Sequence, residues 1–356
     1  MKRIIFFSKN LNVGGLEKSL IALLNKLTKS YDVTLVLEEN IGILKDQLDP
    51  QIRVKEYKLS RNKIVIFRKA VNFSKRMLWL ICNYNKYDFS CSYSTYSIIG
   101  SRLAQISSRN NYLYIHSDYS KVYTNKCDFI NFFNSLRMKK FKGLIFVSNE
   151  SRSNFNKIIQ HREEYVINNL IDYEKILELS KEKIDDSIID RSKVSFLYVG
   201  RLDNTSKNFD LLLESFSKVK SKSNLYIIGD GDYKKNIVES IGKYSIKDRV
   251  FLLGEKSNPY PYIKMCDCLV LTSKYEGFPV IYGEALVLNK RVITTIPTSD
   301  SNIDIKNYFK CVGQNANIIS KEMSKIRKNE SVNYNVNFVK INDSILKQID
   351  KLVLER

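Results

Sequence analysis

The sequence lacks any long apolar run, has few histidines and shows no regular cysteine pattern. No stretch of about 18 consecutive apolar residues occurs, so we expect no membrane-spanning helix. Polar residues 8–10 interrupt the first apolar run, which leaves it too short for a secretory signal peptide. The six cysteines have no framework spacing, and the Cys266-Asp267-Cys268 pair is too tight for an ordinary zinc knuckle. These absences predict a cytoplasmic protein with free thiols and no metal site.

Positive charge, by contrast, is in excess. Lys and Arg number 58 against 38 Asp and Glu, which gives a formal net charge of +20. Such a surface attracts nucleic acid, an anionic membrane or a phosphorylated substrate. The bases are dispersed and no nucleic-acid-binding motif accompanies them, so we expect no nucleic-acid partner.

Apolar strand-like runs alternate with helical patterns along the 356 residues, and this pattern predicts βαβ units and parallel sheets. We place one domain at 1–170, a second at 171–338, and a helix at 339–356 that packs back on the first domain. The polar stretch 180–192 is the best candidate for the connection between the domains. The predicted fold is α/β, with two doubly wound, Rossmann-like domains facing across a cleft. In such sheets, ligands bind at the carboxyl ends of the strands.

Two acids lie on either side of a predicted helix start. Pro279 suits the first helical position, which leaves Glu276 in the preceding loop and Glu284 inside the helix. The helix N-terminus between them suits a phosphate. Arg201 and Lys207 follow another predicted strand, where two fixed cations suit a diphosphate. Taken alone, these two bases would be interpreted as ordinary surface residues.

Asp230 and Asp232 are open to two interpretations. They resemble an Asp-x-Asp metal site of the kind that holds nucleotide-sugar phosphates. They also suit a tight strand-to-helix turn with an acidic N-terminal cap, and this is the preferred interpretation.

Five segments, taken in order, resemble the family-4 retaining glycosyltransferases. They are Gly200-Arg-Leu with Lys207-Asn-Phe, Ile227-Ile-Gly-Asp-Gly231, Asp248-Arg-Val-Phe-Leu-Leu-Gly254, Asn258-Pro-Tyr-Pro-Tyr-Ile263, and Glu276-Gly-Phe-Pro279 with Glu284-Ala-Leu. The stretch Gly14-Gly-Leu-Glu-Lys18 is similar to the Gly-Gly-x-Glu-basic loop of that family's first domain. These enzymes have the GT-B fold and act in capsular, exopolysaccharide or lipid-linked glycan biosynthesis.

The resemblance implies a role for each matching residue. Arg201 and Lys207 would hold the donor diphosphate in place of a metal ion, so no cofactor is expected. Glu276 would contact hydroxyls of the donor sugar, and Glu284 would accept hydrogen bonds from the ribose. The remaining implied donor contacts are Gly14 and Gly15 against the phosphate, Gly277 and Phe278 through backbone N–H groups, and Gly254 beside the base.

The chain has two histidines, in different contexts. His161 lies in a polar segment and is expected at the surface. His116 ends a predicted strand, at a position similar to the family's first-domain histidine near the donor sugar. A histidine at a strand end is often structural, so its predicted catalytic role as a polar partner of the sugar rests on the other motifs.

The sequence departs from the family pattern at two places. Gly283 stands where a bulky apolar residue usually precedes the second glutamate, which predicts a looser helix. Residues 296–302 lack the glycine-containing turn that is common in the family. The identity of the sugar is therefore left open.

Residues 61–81 carry six bases and no acid. Drawn as a helix, this stretch has a basic side made of Arg61, Arg68, Lys69, Lys75 and Arg76, with Trp79 among them. One interpretation is an amphipathic core helix with a solvated basic face. The other is an interfacial helix that docks on an anionic leaflet, which the basic cluster 137–142 favours. The second interpretation predicts a protein peripheral to the inner face of the cell membrane.

The leading functional hypothesis is metal-independent, retaining transfer of a sugar from a UDP-linked donor to a hydroxyl of a glycan or polyprenyl-linked acceptor. The resemblance places this reaction in bacterial surface polysaccharide synthesis. A GT-B epimerase of nucleotide sugars is the alternative enzyme, and a basic nucleic-acid-binding protein is the least favoured alternative.

Overall fold

The structure of the protein is a computed structural model that describes residues 1–12, 14–184, 187, 189–220, 222–296 and 305–355. It divides into two compact units. Unit 1 comprises Met1–Leu170 and Val339–Arg356, and unit 2 comprises Ile171–Phe338. Both are α/β units built on a parallel sheet, so the predicted fold class is confirmed.

Unit 1 contains a seven-stranded sheet in which every pair is parallel. Its strands are β1 (Arg3–Ser8), β2 (Asp32–Leu37), β3 (Arg53–Glu56), β4 (Phe89–Ser92), β5 (Asn111–Ile115), β6 (Gly143–Phe146) and β7 (Glu164–Val166). The spatial order is β3-β2-β1-β4-β5-β6-β7. The central strands are buried almost throughout, because helices cover a parallel sheet on both faces.

Helices connect the strands of unit 1. They are α1 (Gly15–Leu27), α2 (Val65–Asn83), α3 (Ile98–Ser107), α4 (Tyr119–Val122), α5 (Lys126–Ser135) and α6 (Asn149–Asn156). Polar caps begin several of them: the hydroxyl of Ser97 accepts from the Gly100 N–H, and that of Ser148 accepts from the Ser151 N–H. One core cluster lies under α2, α3 and α5, and Trp79 of α2 belongs to it.

Unit 2 contains a six-stranded parallel sheet in the order β10-β9-β8-β11-β12-β13. Its strands are β8 (Val194–Val199), β9 (Ser223–Ile228), β10 (Val250–Gly254), β11 (Cys268–Leu271), β12 (Arg291–Thr294) and β13 (Lys310–Cys311). Its helices are α7 (Tyr173–Leu179), α8 (Asn204–Lys207), α9 (Phe209–Ser217), α10 (Lys234–Lys243), α11 (Tyr260–Met265), α12 (Val280–Val287) and α13 (Ala316–Met323).

The change from unit 1 to unit 2 falls between residues 170 and 171, and not in the polar stretch 180–192. Helix α7 precedes that stretch and already belongs to unit 2, where it packs on α11 and α12. Ile171 and Ile176 are buried there. The prediction of a connection at 180–192 was wrong because a polar surface segment inside a domain has the same composition as a linker.

The chain returns to unit 1 in its last helix, α14 (Phe338–Leu354). Backbone oxygens of this helix accept hydrogen bonds from Lys2 Nζ (to Val353, 3.0 Å) and from Asn110 Nδ2 (to Leu352, 2.7 Å). The Tyr31 hydroxyl donates to the Asp350 carboxylate at 2.8 Å. Helix α14 therefore binds to the amino-terminal ends of the unit 1 strands.

Candidate functional site

The strand order of unit 2 identifies where a ligand would bind. From β8 the chain proceeds outward through β9 and β10, and it then returns to place β11 on the other side of β8. The loops that leave β8 and β11 therefore diverge at one point of the sheet edge. Such switch points, at the carboxyl ends of parallel strands, are the usual ligand sites of doubly wound sheets.

The two loops at this switch point are bound directly to each other. The Thr272 hydroxyl donates to the backbone oxygens of Lys207 and Asn208, at 3.1 and 3.0 Å. The Lys274 N–H donates to the Ser206 oxygen at 2.7 Å. These contacts hold the end of α8 against the start of the loop that precedes α12.

Lys207 and Glu276 form an ion pair at this junction. Their side chains are 22% and 18% exposed, so solvent still reaches both. The same oxygen of Glu276, Oε1, accepts a hydrogen bond from the Ser273 hydroxyl at 2.8 Å. The structure thus brings together Lys207, which is predicted to bind a diphosphate, and Glu276, which is predicted to bind a sugar. When a molecule binds, Lys207 can pair with an anionic group of that molecule, and Glu276 can accept a hydrogen bond from it.

Arg201 lies on the same loop but projects further into solvent, with 75% of its side chain exposed. Its Nε donates to the Asp203 carboxylate at 3.1 Å. Asp203 in turn caps α8 by accepting from the Ser206 N–H at 2.8 Å. Burial raises the pKa of the Asp203 carboxyl, but the Ser206 hydrogen bonds and the Arg201 charge outweigh it and leave this pKa below its usual value.

Glycines allow the neighbouring strand ends to approach this junction. Gly229, after β9, has φ of 142°, and a Cβ there would overlap the backbone oxygen of Gly200. The Gly229 N–H donates to the Gly254 oxygen at 2.9 Å, which ties the end of β9 to the end of β10. Gly254 itself has φ of 71°, and nothing lies within 4 Å of where its Cβ would be. Its position, predicted to lie beside the base, leaves room for a ligand.

Helix α12 holds the second predicted acid in a different environment. Glu284 is only 3% exposed. Burial raises the pKa of the Tyr260 hydroxyl well above its usual value, and a hydrogen bond to Glu284 raises it further. Phe278 is buried and packs edge-on against Tyr282, with ring centroids 6.1 Å apart, so it can offer a ligand little beyond its backbone.

Two details of the predicted helix start are wrong. Pro279 is the N-cap of α12, with ψ of 125°, and the helix begins at Val280. Gly283 does not loosen α12, because a Cβ at this position would overlap the side chain of Ile171. The glycine instead allows close packing of α12 on the first residue of unit 2. The turn predicted to be missing from 296–302 falls mostly on residues 297–304, which lie outside the described residues.

Asp230 and Asp232 are exposed. Asp230 accepts from the Gly231 N–H at 2.9 Å and pairs with Lys234 at 3.5 Å. In the ranges that the structure describes, no group of three or more His, Cys, Asp or Glu side chains could hold a metal ion.

His116 lies at the carboxyl end of β5 in unit 1, between two aromatic rings. Its ring centroid is 4.3 Å from that of Tyr93 and 4.4 Å from that of Tyr114. Burial lowers the pKa of His116 to about 3, although contacts with Asn169 and the Tyr93 backbone act in the opposite direction. The imidazole is therefore neutral at ordinary pH. His161, by contrast, contacts its own polar segment, with Nδ1 3.0 Å from the Glu163 backbone oxygen.

The Gly14-Gly15 turn at the start of α1 follows β1, which neighbours β4 at the switch point of the unit 1 sheet. Gly14 is the N-cap of α1. A Cβ on Gly14 would overlap the carboxylate of Glu17, which is buried against this turn. A phosphate at this helix start would have to share the space with that carboxylate.

The pattern of buried and exposed residues in helix α2 differs from both interpretations of its basic stretch. Only Trp79 and Asn83 of the helix are buried, and the Trp79 indole N–H donates to the Ser107 hydroxyl at 3.2 Å. The large apolar residues exposed between positions 64 and 81 are Ile64, Val65, Ile66, Phe67, Val71, Phe73, Met77, Leu78 and Ile81. The assignment of Trp79 to the surface was therefore wrong, and so was the core-helix interpretation, because the apolar side is not packed.

The angular positions of the residues around α2 explain why Trp79 was wrongly assigned to the surface. At about 100° per residue, most of the exposed apolar residues lie opposite Trp79. The bases flank the buried line on both sides; they are Arg68, Lys69, Lys75 and Arg76. Arg61 precedes the helix and pairs with Glu39. Trp79, which the sequence grouped with the bases, thus anchors the helix to unit 1.

Two residues with clear roles here were assigned no function from the sequence. Ser273 holds Glu276, and Tyr260 contacts Glu284. A hydroxyl residue three positions before an acid in a loop could have suggested the first contact. The contact of Tyr260 with Glu284 joins residues 24 positions apart in sequence, and the spacing of residues does not predict such a contact.

Comparisons with known proteins agree with this architecture. Residues 180–340 match the family described as glycosyl transferases group 1. The solved structure of Anabaena Alr3699/HepE in complex with UDP-glucose superposes with a TM-score of 0.75 at 17% identity, and the alignment covers 99% of this chain and 100% of that one. This likeness establishes the fold.

Two curated relatives match to different extents. The N-acetylgalactosamine-N,N'-diacetylbacillosaminyl-diphospho-undecaprenol 4-alpha-N-acetylgalactosaminyltransferase of Campylobacter jejuni is 27% identical over 316 residues, which is 83% of this chain and 81% of the relative. The uncharacterized glycosyltransferase MJ1059 of Methanocaldococcus jannaschii is 38% identical over 103 residues, which is 28% of this chain and 25% of the relative.

The chain is a glycosyltransferase with the GT-B fold. Its residues 180–340, which match the glycosyl transferases group 1 family, contain the Lys207–Glu276 junction.

Proposed function

We propose that the protein transfers a sugar from a UDP-linked donor to a hydroxyl of a glycan or polyprenyl-linked acceptor, with retention at the anomeric carbon and without a metal ion. We place the reaction in the synthesis of a bacterial surface polysaccharide, by resemblance to the family-4 enzymes. The relative matched over 83% of the chain bears a name that specifies a diphospho-undecaprenol substrate, which supports a lipid-linked acceptor.

The observation that carries this proposal is the Lys207–Glu276 pair at the switch point of unit 2. A donor diphosphate would take Lys207 as its counter-ion, and Arg201, mostly exposed on the same loop, would add a second positive charge. Glu276 would then be free to accept hydrogen bonds from sugar hydroxyls. Ser273 would keep the carboxylate in place during this exchange.

The reaction needs few protein groups. The bond between the anomeric carbon and the diphosphate oxygen breaks, and the acceptor oxygen forms its bond on the same face of the sugar. The departing diphosphate oxygen takes the proton of the acceptor hydroxyl. Negative charge grows on the diphosphate in this step, and fixed cations such as Arg201 and Lys207 stabilise it.

Other residues of the predicted donor site have supporting roles. Buried Glu284, contacted by Tyr260, suits a fixed acceptor for ribose hydroxyls. Neutral His116 can donate one hydrogen bond and accept another, as a partner of sugar hydroxyls would have to do. The roles predicted for Gly14, Gly15, Gly254 and Gly277 stay predictions.

A membrane location is part of the proposal. None of the helices in the described ranges is long and apolar enough to cross a bilayer. The exposed apolar side of α2 and the flanking bases support docking on an anionic leaflet. A polyprenyl-linked acceptor would be reached from such a surface.

The test is a panel of nucleotide sugars measured for protection against thermal unfolding, because a ligand of the native state raises Tm. We expect a UDP-sugar to raise Tm in the presence of EDTA, and Glu276→Ala to abolish the part of the shift that depends on the sugar. No shift with any nucleotide sugar would contradict the proposal.

Two further measurements distinguish the proposed transfer reaction from its alternatives. Incubation with the donor alone should leave the sugar unchanged, whereas formation of an epimer would favour a nucleotide-sugar epimerase. With an acceptor, proton NMR should show that the product keeps the anomeric configuration of the donor, and inversion would contradict retention.

A further inference from the structure

Three arginines converge on the outer side of unit 1, where α2, α3 and the end of α5 meet. Arg76 lies on α2, Arg102 on α3, and Arg137 follows α5. Helices α2 and α3 each connect parallel strands of one sheet, so they run in the same direction and lie side by side. The two basic stretches of the sequence, 61–81 and 137–142, are therefore parts of one surface.

Hydrogen bonds fix the position of each arginine's helix. The Trp79 indole N–H donates to Ser107, which fixes α2 against α3; Arg76 lies about one turn before Trp79, and Arg102 lies five residues before Ser107. The Gln105 amide donates to the backbone oxygens of Leu136 and Arg137, at 3.1 and 3.2 Å. Gln105 lies one turn after Arg102, so this contact brings the Arg137 segment to α3.

The three guanidinium groups are not paired with acidic side chains in the part of the chain that the structure describes. Within the described ranges, none of the three side chains forms an ion pair or donates a hydrogen bond, and Nε of Arg102 is buried without a partner. Burial lowers the pKa of Arg102, and the charges of Arg137 and Arg76 lower it further. Arginine side chains stay positively charged in proteins, so the cluster presents three positive charges. The arrangement suits an anion with several oxygens.

The apolar side of α2 adjoins this cluster. The Arg76 guanidinium carbon lies 6.0 Å from the centroid of the Phe73 ring, which is 55% exposed. Met77 and Leu78, which follow in sequence, are also exposed. Fixed positive charge next to exposed apolar side chains matches the order of groups in a bilayer, where headgroup phosphates adjoin acyl chains.

We propose that the guanidinium groups of Arg76, Arg102 and Arg137 bind the phosphate of an anionic phospholipid headgroup, while the apolar side of α2 enters the adjoining acyl layer. This inference rests on the membrane docking proposed above and gives it a specific site. It predicts that these three arginines contribute more to membrane binding than any other three bases of unit 1.

The experiment uses the full chain and compares two triple variants of equal charge. One is Arg76→Gln/Arg102→Gln/Arg137→Gln. The control is Lys29→Gln/Lys45→Gln/Arg162→Gln, which changes three exposed bases elsewhere on unit 1. Flotation with phosphatidylcholine vesicles, with and without phosphatidylglycerol, measures binding. We expect the wild-type protein to bind only vesicles with phosphatidylglycerol, and the arginine triple to bind them on the order of 100-fold more weakly. The control should lose far less.

Several outcomes would overturn the inference. Equal losses in the two triples would show diffuse charge instead of a site. Equal binding of the wild-type protein to neutral vesicles would show that no phosphate of an anionic lipid is recognised. Displacement from vesicles by inorganic phosphate, at matched ionic strength, would assign the site to a soluble phosphate.

Failure of the wild-type protein to bind any vesicle would refute the membrane docking and this inference together. The transfer reaction would remain open to its own test, since donor protection is measured without lipid. If the triple variant does not fold, the exposed pair Arg76→Gln/Arg137→Gln serves instead, with an expected loss on the order of 10-fold. Removing these two of the three like charges should not lower Tm, which circular dichroism can check.

Discussion

The Lys207–Glu276 junction of unit 2 and the arginine surface of unit 1 handle charge in opposite ways. At the junction, Lys207 pairs with Glu276, Ser273 donates to the same carboxylate, and Arg201 pairs with Asp203. On the outer surface of unit 1, three guanidinium groups form no ion pair among the described residues, and they lie beside apolar side chains that face solvent.

The difference separates two kinds of binding. Paired charges are already organised, and a ligand replaces one partner by another with little rearrangement. Unpaired charges beside exposed apolar groups are unfavourable in the free protein. Such a surface is stabilised only when an extended partner covers it. We therefore expect substitutions at the junction to change turnover, and substitutions on α2 to change location or stability.

The largest effect should come from breaking the junction. Lys207→Ala or Glu276→Ala should lower the transfer rate on the order of 100-fold or more, because each removes a charge that acts on the donor. Steady-state assays with the donor that stabilises the protein measure this. Lys235→Ala, which removes an exposed lysine of α10, is the matched control and should leave the rate unchanged.

The substitution Ser273→Ala tests the same junction with a smaller perturbation. Loss of one hydrogen bond to Glu276 should cost about 10-fold or less. Near-normal rates for Lys207→Ala and Glu276→Ala, with the fold intact by circular dichroism, would refute the assignment of this site.

Two aromatic residues of α2 sharpen the comparison within a single helix. Trp79 packs edge-on against Tyr57 and Phe7, with ring centroids 5.5 and 6.0 Å apart, so Trp79→Ala should lower the free energy of unfolding by about 3–5 kcal/mol. Phe67 is 63% exposed, and Phe67→Ala should change it by less than about 0.5 kcal/mol while weakening vesicle binding. Urea unfolding and flotation measure the two effects. Similar destabilisation by both substitutions would mean that the apolar side of α2 is packed in solution.

The last prediction concerns the pH dependence of stability. Because the pKa of native His116 is about 3, below the ordinary 6.5, the unfolded chain takes up a proton between these values and the native state does not. Stability should therefore fall as pH drops from about 6.5 towards 3. Thermal melts should show a weaker decline over that window in His116→Gln than in the wild-type protein. Parallel pH curves for the two would contradict the neutral state of native His116.

The sequence predicted the sheets well because fully buried parallel strands have continuous apolar runs, as β1 and β11 do. Lys207 and Glu276 were singled out through the family resemblance, since their positions after strands would by themselves have left Lys207 an ordinary surface base. The sequence did not predict which side of α2 is buried. Apolar residues occur around most of that helix, and only the distant residues Tyr57 and Ser107 determine that Trp79 faces inward.

Contacts between distant segments escaped prediction for the same reason. The packing of Gly283 on Ile171 and the contact of Tyr260 with Glu284 depend on where α7 and α11 lie against α12. Composition alone placed the domain connection at 180–192, whereas buried Ile171 and Ile176 place α7 in unit 2.

The return of α14 to unit 1 has a consequence for how this protein is made. Unit 2 is inserted within unit 1, so the first 170 residues leave the ribosome without the helix that binds Lys2, Tyr31 and Asn110. Unit 2 is contiguous and has all of its residues before α14 is complete. A chain truncated after Phe338 should thus contain a complete second unit and a first unit whose sheet still exposes the ends of its strands to chaperones.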